Sequence, residues 1–364
     1  MTAQPSTSAS VSNASSELLN TSDPRLQALH HWLSGLSSEF SLDMANWAPA
    51  SADASFRRYF RIGSHAPAHP SLIVMDAPPP QEDCRPFVHV AQLLEEAGLQ
   101  APKVLAEDLA QGFLLLTDLG RETYLDVLTD LDADSARPLM RAALDALIVW
   151  QKSSRADVLP AYDSALLKRE LDLFPDWYIG KHLKVELSES QRATLDRINQ
   201  LLIDSALAQP KVFVHRDYMP RNLMPGLPGT TGPGILDFQD AVYGPLTYDV
   251  ISLMRDAFLS WDEERQLDWL AYYWERARKA GLPVDADFGE FYRQAEWMGL
   301  QRHLKVLGIF ARINYRDGKP RYLADTPRFL DYARKVADRY APLRPLAKLL
   351  DELTGQQVDV GYTF

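Results

Sequence analysis

Apolar residues recur at strand and helix spacing in two unequal stretches of this chain. After Asp23, Pro24 opens a segment in which Leu26, Leu29 and Leu33 share one face, the spacing of an amphipathic helix. Two short strand-like runs follow, Phe56 to Ile62 and Ser71 to Met75, with Gly63-Ser64-His65-Ala66-Pro67 as a hairpin loop between them. Pro86 opens a helix through Glu96 that Gly98 stops, and a further strand pair runs from Val104 to Leu119. From about Glu122 the pattern turns helical. Ala136 to Lys152 puts Met140, Ala143, Leu144, Leu147 and Ile148 on one buried side, and Ser188-Glu189-Ser190-Gln191 forms a capping box for the helix carrying Leu195, Ile198, Leu201 and Leu202. Inside this helical region, Lys211 to Val214 and Gly234 to Phe238 read as strands, and helices resume near Tyr248, Glu263, Phe288 and Phe329. Residues 1–23 are rich in Ser, Thr, Ala and Asn, lack the apolar groups that offset ordering entropy, and are expected to be disordered. The expected layout is a tail (1–23), a small β-containing lobe (24–118) and a large, mainly helical lobe (119–364): an α+β, two-lobe chain.

Composition narrows the partners. A formal charge of -11 argues against a nucleic-acid polyanion, and the single cysteine, Cys84, excludes an intramolecular disulfide or a cysteine-based zinc site. No apolar run is long enough to span a bilayer, and the N-terminus lacks a basic region followed by an apolar one. A cytoplasmic monomer acting on small molecules, away from nucleic acid and membrane, is the expectation.

The candidate chemistry lies in Val214-His215-Arg216-Asp217-Tyr218-Met219-Pro220-Arg221-Asn222 and in Ile235-Leu236-Asp237-Phe238-Gln239-Asp240. The first resembles the H-R-D-x-x-x-x-N catalytic loop of the protein-kinase-like fold, and the second supplies an Asp-Phe pair after an apolar strand. By that resemblance Asp217 is the catalytic carboxylate that accepts or orients the proton of an attacking hydroxyl. Asn222 and Asp237 offer hard oxygen ligands for Mg²⁺ on the phosphates of ATP. A polar turn joining two core strands is the plain alternative. Asp240 fits a supporting position or the cap of the next turn.

Departures from protein kinases are informative. Gln239 stands where they carry Gly, no Ala-Pro-Glu segment follows, and Met219 replaces the lysine two residues past the catalytic Asp. The chain instead passes through Tyr243-Gly244-Pro245 into Tyr248-Asp249-Val250-Ile251-Ser252-Leu253-Met254, which resembles the aminoglycoside phosphotransferase family of small-molecule kinases. That resemblance implies a backbone anchor role for Asp249 and chemistry at the seam of the lobes. The phosphate-binding part matches less well, since there is no G-x-G-x-x-G and Met75 stands where a strand lysine is expected. The small-residue run Ser51 to Ser55 is the candidate loop. Arg57, Arg58 and Arg61 are the candidate cations, and Ser55, Arg58 and Arg61 are assigned to the nucleotide. Glu82 or Asp83 is a candidate partner for such an arginine. Thr117 and Asp118 are expected at an interlobe hinge facing adenine.

For the acceptor, Asp172 to Tyr178 sets acids beside aromatics, and Asp176 and Trp177 are its candidate contacts. The helix Trp297 to Ile313 carries Gln301, Lys305, Gly308 and Arg312 on one face with Arg302 on a flank, either a groove for an anionic substrate or a solvated basic face. Arg221 and Gln239 are placed on the acceptor side as well. Together with the Arg-Arg-Tyr-Phe-Arg strand, these segments resemble one branch of the family, the bacterial anomeric kinases of N-acetylmuramate and N-acetylglucosamine. The branch implies ATP-dependent phosphorylation of the C1 hydroxyl to an α-1-phosphate that feeds UDP-sugar synthesis in peptidoglycan recycling. The rivals are another small-molecule kinase of the aminoglycoside or choline kinase type, and a non-catalytic nucleotide-binding module.

Overall fold

The apolar stretches of the first third assemble into one antiparallel sheet with a helix on its core. The computed structural model describes residues 23–51, 56–79, 81–226, 230 and 232–355; the expected tail through residue 22 and Ser55 of the expected phosphate loop lie outside them. Helix α1 (Pro24–Leu36) begins where expected, with Pro24 in its first turn and the Asp23 carboxylate accepting the Arg25 N–H at 2.9 Å. Strands β1 (Leu42–Ser51), β2 (Arg58–Ser64) and β3 (Ser71–Asp76) follow, then α2 (Arg85–Glu96), β4 (Val104–Asp108) and β5 (Phe113–Thr117). The sheet order is β1-β2-β3-β5-β4, antiparallel throughout. Leu26, Leu29 and Leu33 of α1 pack into the cluster of Trp47, Phe60, Ile62, Val74 and Leu115.

Two strand expectations are corrected. β1 is unanticipated because register shifts between Asp43 and Trp47 and between Pro49 and Ser51 break the period-two pattern, and an edge strand tolerates Pro49. β2 starts at Arg58 and not at Phe56, whose ring is 67% exposed.

The chain divides into two compact units. The first holds the described residues through Arg121 together with Gly226, Thr230 and Gly234–Asp240; the second holds Glu122–Pro225, Gly232, Pro233 and the chain from Ala241. Within the first unit the strand expected over 234–238 shrinks to Gly234–Ile235, where the Ile235 N–H donates to the Gln100 carbonyl at 2.8 Å. The strand stops because Asp237 takes a left-handed φ of +61°, while Phe238 is buried against Phe87 with centroids 4.7 Å apart.

The second unit runs α3 (Tyr124–Leu128), α4 (Ala133–Lys152), α5 (Ser164–Leu171), a π-helical segment (Phe174–Leu183), α6 (Glu189–Ala208), β6 (Lys211–Val214), a 3₁₀ turn (Pro220–Asn222), β7 (Val242–Pro245), α7 (Tyr248–Met254), α8 (Glu263–Lys279), α9 (Phe288–Asp317), a second 3₁₀ turn (Pro320–Asp325), α10 (Thr326–Arg339) and α11 (Arg344–Thr354). The capping box at Ser188 and Gln191 is complete in both directions. Strands β6 and β7 pair antiparallel as the β island that carries the candidate loop.

The basic face expected on Trp297 to Ile313 is interior to the fold. Gln301, Arg302 and Lys305 are all buried, because α9 packs against the π-helical segment, α10, α6 and α7. Gly308, expected to admit a substrate, admits protein: a Cβ there would lie 2.4 Å from the Leu173 carbonyl carbon. Among the described residues no helix is long and apolar enough to cross a membrane.

Candidate active site

In the second unit the loop after β6 is built from buried anchors. Phe213 of β6 packs on Trp150 of α4, with centroids 4.9 Å apart, and its N–H donates to Ser154 Oγ at 2.6 Å. Asp249, in the first turn of α7, is fully buried, and its carboxylate accepts the N–H groups of His215 (2.6 Å) and Arg216 (3.0 Å). The backbone-anchor role implied for Asp249 is thus visible in two hydrogen bonds. His215 Nδ1 accepts the Asp217 N–H at 3.2 Å, and Tyr218 is buried with its hydroxyl on the Ala143 carbonyl at 2.7 Å. Asn222 Nδ2 donates to the Asp217 carbonyl at 2.9 Å, closing the loop on itself. The Asp217 carboxylate, half-buried, makes no hydrogen bond or ion pair among the described residues.

Burial pushes the Asp249 carboxyl up to about 7, against the pull of its two N–H donors and with Asp217 nearby adding to the rise. Its bound proton therefore stabilises the fold in acid. That contribution is whole below the ordinary value of 3.8, declines as pH rises, and is gone above about 7. Asp249→Asn keeps one acceptor and turns an amide N–H toward the other donor, at an expected cost of about 2–3 kcal/mol. Denaturation of both proteins at pH 5 and pH 8 checks this: the wild-type advantage should be larger at pH 5, and equal advantages at the two pH values would contradict it.

Arg216 adopts a left-handed φ of +75°, a conformation that costs a non-glycine residue roughly 1–2 kcal/mol. It is held from both ends. Its N–H is on Asp249, and its guanidinium donates to Glu170 of α5 at 2.6 Å. Glu170 is buried and also receives Lys305 of α9 at 2.9 Å, Gln301 at 3.2 Å, and a short bond from the Tyr162 hydroxyl. Lys305 in turn donates to the Tyr248 hydroxyl at 3.0 Å. Burial alone would raise the Glu170 carboxyl; Lys305 and Arg216 overcome that and hold it down to about 2.

Lys305, expected on the acceptor, is instead tied to the candidate loop through Glu170 and Arg216. Arg302, also expected there, is buried and donates to the Arg255 carbonyl at 3.3 Å. Arg312 is half-buried, and burial lowers its pKa. In the π-helical segment Asp176 is exposed and Trp177 half-buried. Arg221 lies over the Phe258 ring at 5.2 Å.

In the first unit the three candidate arginines separate by partner. Arg58 donates to Asp23 (2.6 Å) and to the fully buried Asp76 (2.5 and 2.8 Å), which Arg25 also reaches at 2.6 Å. Arg61 forms a fork on Asp118 (2.5 and 3.0 Å) and donates to the Gly120 carbonyl at 2.5 Å. Ser71 Oγ adds a third donor to Asp118 at 2.7 Å. Arg57 instead stands 3.8 Å from Glu82 and 3.9 Å from Asp237. Asp83, the other candidate partner, is bound to Arg85. Thr117 Oγ1 accepts the Lys103 N–H at 2.9 Å, and Gln239 Nε2 donates to Asp237 Oδ1 at 2.9 Å.

The site reading misses Glu170, which lies 46 residues before Arg216 and belongs to no motif. Strand alternation sorts the faces of Arg57, Arg58 and Arg61 but says nothing of the partners that Arg58 and Arg61 find in Asp76 and Asp118. Among the described residues no group of three or more His, Cys, Asp or Glu side chains is arranged for a metal ion. A magnesium ion that keeps waters and shares phosphate oxygens needs no such cage.

Known proteins agree with this construction. A phosphotransferase enzyme family model matches residues 46–288. The N-acetylmuramate/N-acetylglucosamine kinase of Pseudomonas aeruginosa is 55% identical over 338 residues, 91% of this chain and 97% of that protein. Its namesake in Pseudomonas putida is 52% identical over the same shares. Among solved structures, an ethanolamine kinase of Plasmodium vivax superposes with a TM-score of 0.59 at 10% identity, covering 85% of this chain and 86% of the other, a likeness of fold. On the loop geometry, the family match and these relatives together, the chain belongs to the phosphotransferase enzyme family and has its α+β kinase-like fold.

Proposed function

We propose that this protein is an ATP- and Mg²⁺-dependent kinase that phosphorylates the anomeric hydroxyl of N-acetylmuramate or N-acetylglucosamine, giving the sugar α-1-phosphate for UDP-sugar synthesis in peptidoglycan recycling. The carrying observation is the Asp217 carboxylate, unpartnered among the described residues on a loop pinned by Asp249, Glu170 and Asn222. The relatives' printed substrates supply the acceptor.

Asp217 accepts a hydrogen bond from the sugar hydroxyl and takes its proton as the new phosphorus–oxygen bond forms. The bond from the γ-phosphorus to the bridging oxygen breaks, and ADP leaves with that electron pair. Asn222 has committed its nitrogen to the Asp217 carbonyl, so Oδ1 is the atom it offers a cation; Asp237 offers a carboxylate. When bound with the nucleotide, Mg²⁺ neutralises charge on the phosphate oxygens. Arg57, with Glu82 as its counter-charge, takes the phosphate-binding place for which Arg58 and Arg61 are too fully engaged. The Asp118 carboxylate is likewise occupied, which leaves main-chain groups beside Thr117 and Asp118 for adenine.

Arg57→Ala should raise KM for ATP about tenfold or more with partial recovery in Arg57→Lys. Arg58→Ala should lower the Tm instead, by exposing a buried carboxylate to weaker pairing. Steady-state kinetics and thermal melts decide, and a larger ATP effect from Arg58→Ala would reverse the assignment. The activity itself is tested by ³¹P NMR of the product from ATP and each sugar. A phosphate resonance split by the anomeric proton, with ADP in equal amount, is expected; no turnover with either sugar rejects the proposal.

A further inference from the structure

From the end of the candidate loop to the 3₁₀ turn at Pro320–Asp325, the second unit brings together hydrogen-bond donors that no carboxylate among the described residues pairs with. Arg221 sits in the 3₁₀ turn Pro220–Asn222, beside the Asn222 that binds the Asp217 carbonyl. Its guanidinium lies over Phe258 at 5.2 Å, and its positive charge helps to lower the Tyr322 hydroxyl below its ordinary pKa. Arg321 reaches the same hydroxyl with Nη2 at 3.0 Å, its guanidinium 4.9 Å from the Tyr322 ring. Tyr322 itself is held, its ring buried against Phe310 with centroids 5.4 Å apart.

Neither the half-buried Arg221 nor the exposed Arg321 forms an ion pair among the described residues, in a chain of net charge -11. The bond from Arg321 to the phenol oxygen, beside the positive charge of Arg221, also constrains where the phenol proton goes. It must point away from both, toward an acceptor that the described residues do not provide. The phenol responds to this field: burial would raise its pKa, yet the two arginines bring it below the ordinary value. Three donors and two positive charges converge with no anion among them.

We propose that Arg221, Arg321 and Tyr322 form a carboxylate-binding subsite that recognises the lactyl ether acid of the acceptor sugar and so favours N-acetylmuramate over N-acetylglucosamine. The inference rests on the amino-sugar kinase reading above. It moves acid recognition from α9, where Arg302 and Lys305 are committed inside the protein, to the loop that carries Asp217. A sugar whose anomeric oxygen meets Asp217 carries its lactyl group across the width of one ring, and Arg221 is four residues from Asp217. Phe258 supplies an apolar wall suited to the lactyl methyl group.

The test uses the full-length protein and both sugars, with kinetics and calorimetric binding side by side. Arg321→Gln and Tyr322→Phe should each raise KM and Kd for N-acetylmuramate about tenfold. The ratio of kcat/KM for N-acetylmuramate to that for N-acetylglucosamine should fall by a similar factor, and Arg321→Lys should recover part of it. Equal losses on both sugars, or no change on either, overturn the subsite while leaving the kinase reading intact. If wild type turns over neither sugar the kinase reading fails, and calorimetry still decides the subsite: tighter binding of N-acetylmuramate, weakened by Arg321→Gln, supports it and equal binding of the two sugars refutes it.

Discussion

Asp217→Asn should turn over N-acetylmuramate about a thousandfold more slowly than wild type, at an ATP affinity and Tm close to normal. An amide cannot take the proton that the attacking hydroxyl must lose. The change is otherwise quiet, because both loop contacts of residue 217 use its main chain: the N–H on His215 and the carbonyl on Asn222. No hydrogen bond of the native carboxylate is lost among the described residues, so the fold has little to lose. ADP release with each sugar, nucleotide titration and a melting curve measure the three quantities. Turnover within tenfold of wild type would remove Asp217 from the chemistry.

The second large effect is expected at Glu170, far from the motif. Glu170→Gln leaves the Arg216 guanidinium and the Lys305 ammonium without their shared counter-charge in a buried setting, at a cost of roughly 3–5 kcal/mol. Since Arg216 depends on that bond to hold a left-handed backbone, Asp217 should drift, and a displacement near 1 Å costs about a hundredfold in kcat. Adding Lys305→Met removes one of the stranded cations. The double variant should therefore be more stable than additivity predicts by about 1 kcal/mol, whereas a strictly additive result would show that the two side chains are not coupled. The same carboxylate shapes acid stability. Held at about 2, its contribution is whole above the ordinary 4.5 and is lost as pH falls through about 2, so the Glu170→Gln deficit should narrow toward acid.

Much of this was legible in residue order. The helices through Lys152 and Ala208 and the capping box follow from local rules, since each depends on neighbours within a few turns, whereas the loop motif and the Asp249 anchor, 34 residues from His215, were legible through the family resemblance. β1 was hidden because bulges disturb its alternation, and its partner β2 alone reveals it. The face of α9 shows a different failure. Helical spacing correctly groups Gln301, Lys305 and Gly308, but whether that face meets water, ligand or protein depends on segments over a hundred residues away, such as Leu173 and Glu170. The choice among Arg57, Arg58 and Arg61 had the same character. Asp76 and Asp118 engage Arg58 and Arg61, and no periodicity points to either.

In protein kinases the arginine beside the catalytic Asp commonly awaits a phosphate added to a separate mobile segment, and activity follows that addition. Here the corresponding Arg216 already clasps a carboxylate that is translated with the chain. The counter-charge for Arg216 is thus in place as soon as the chain folds, with no later modification required to hold this side chain.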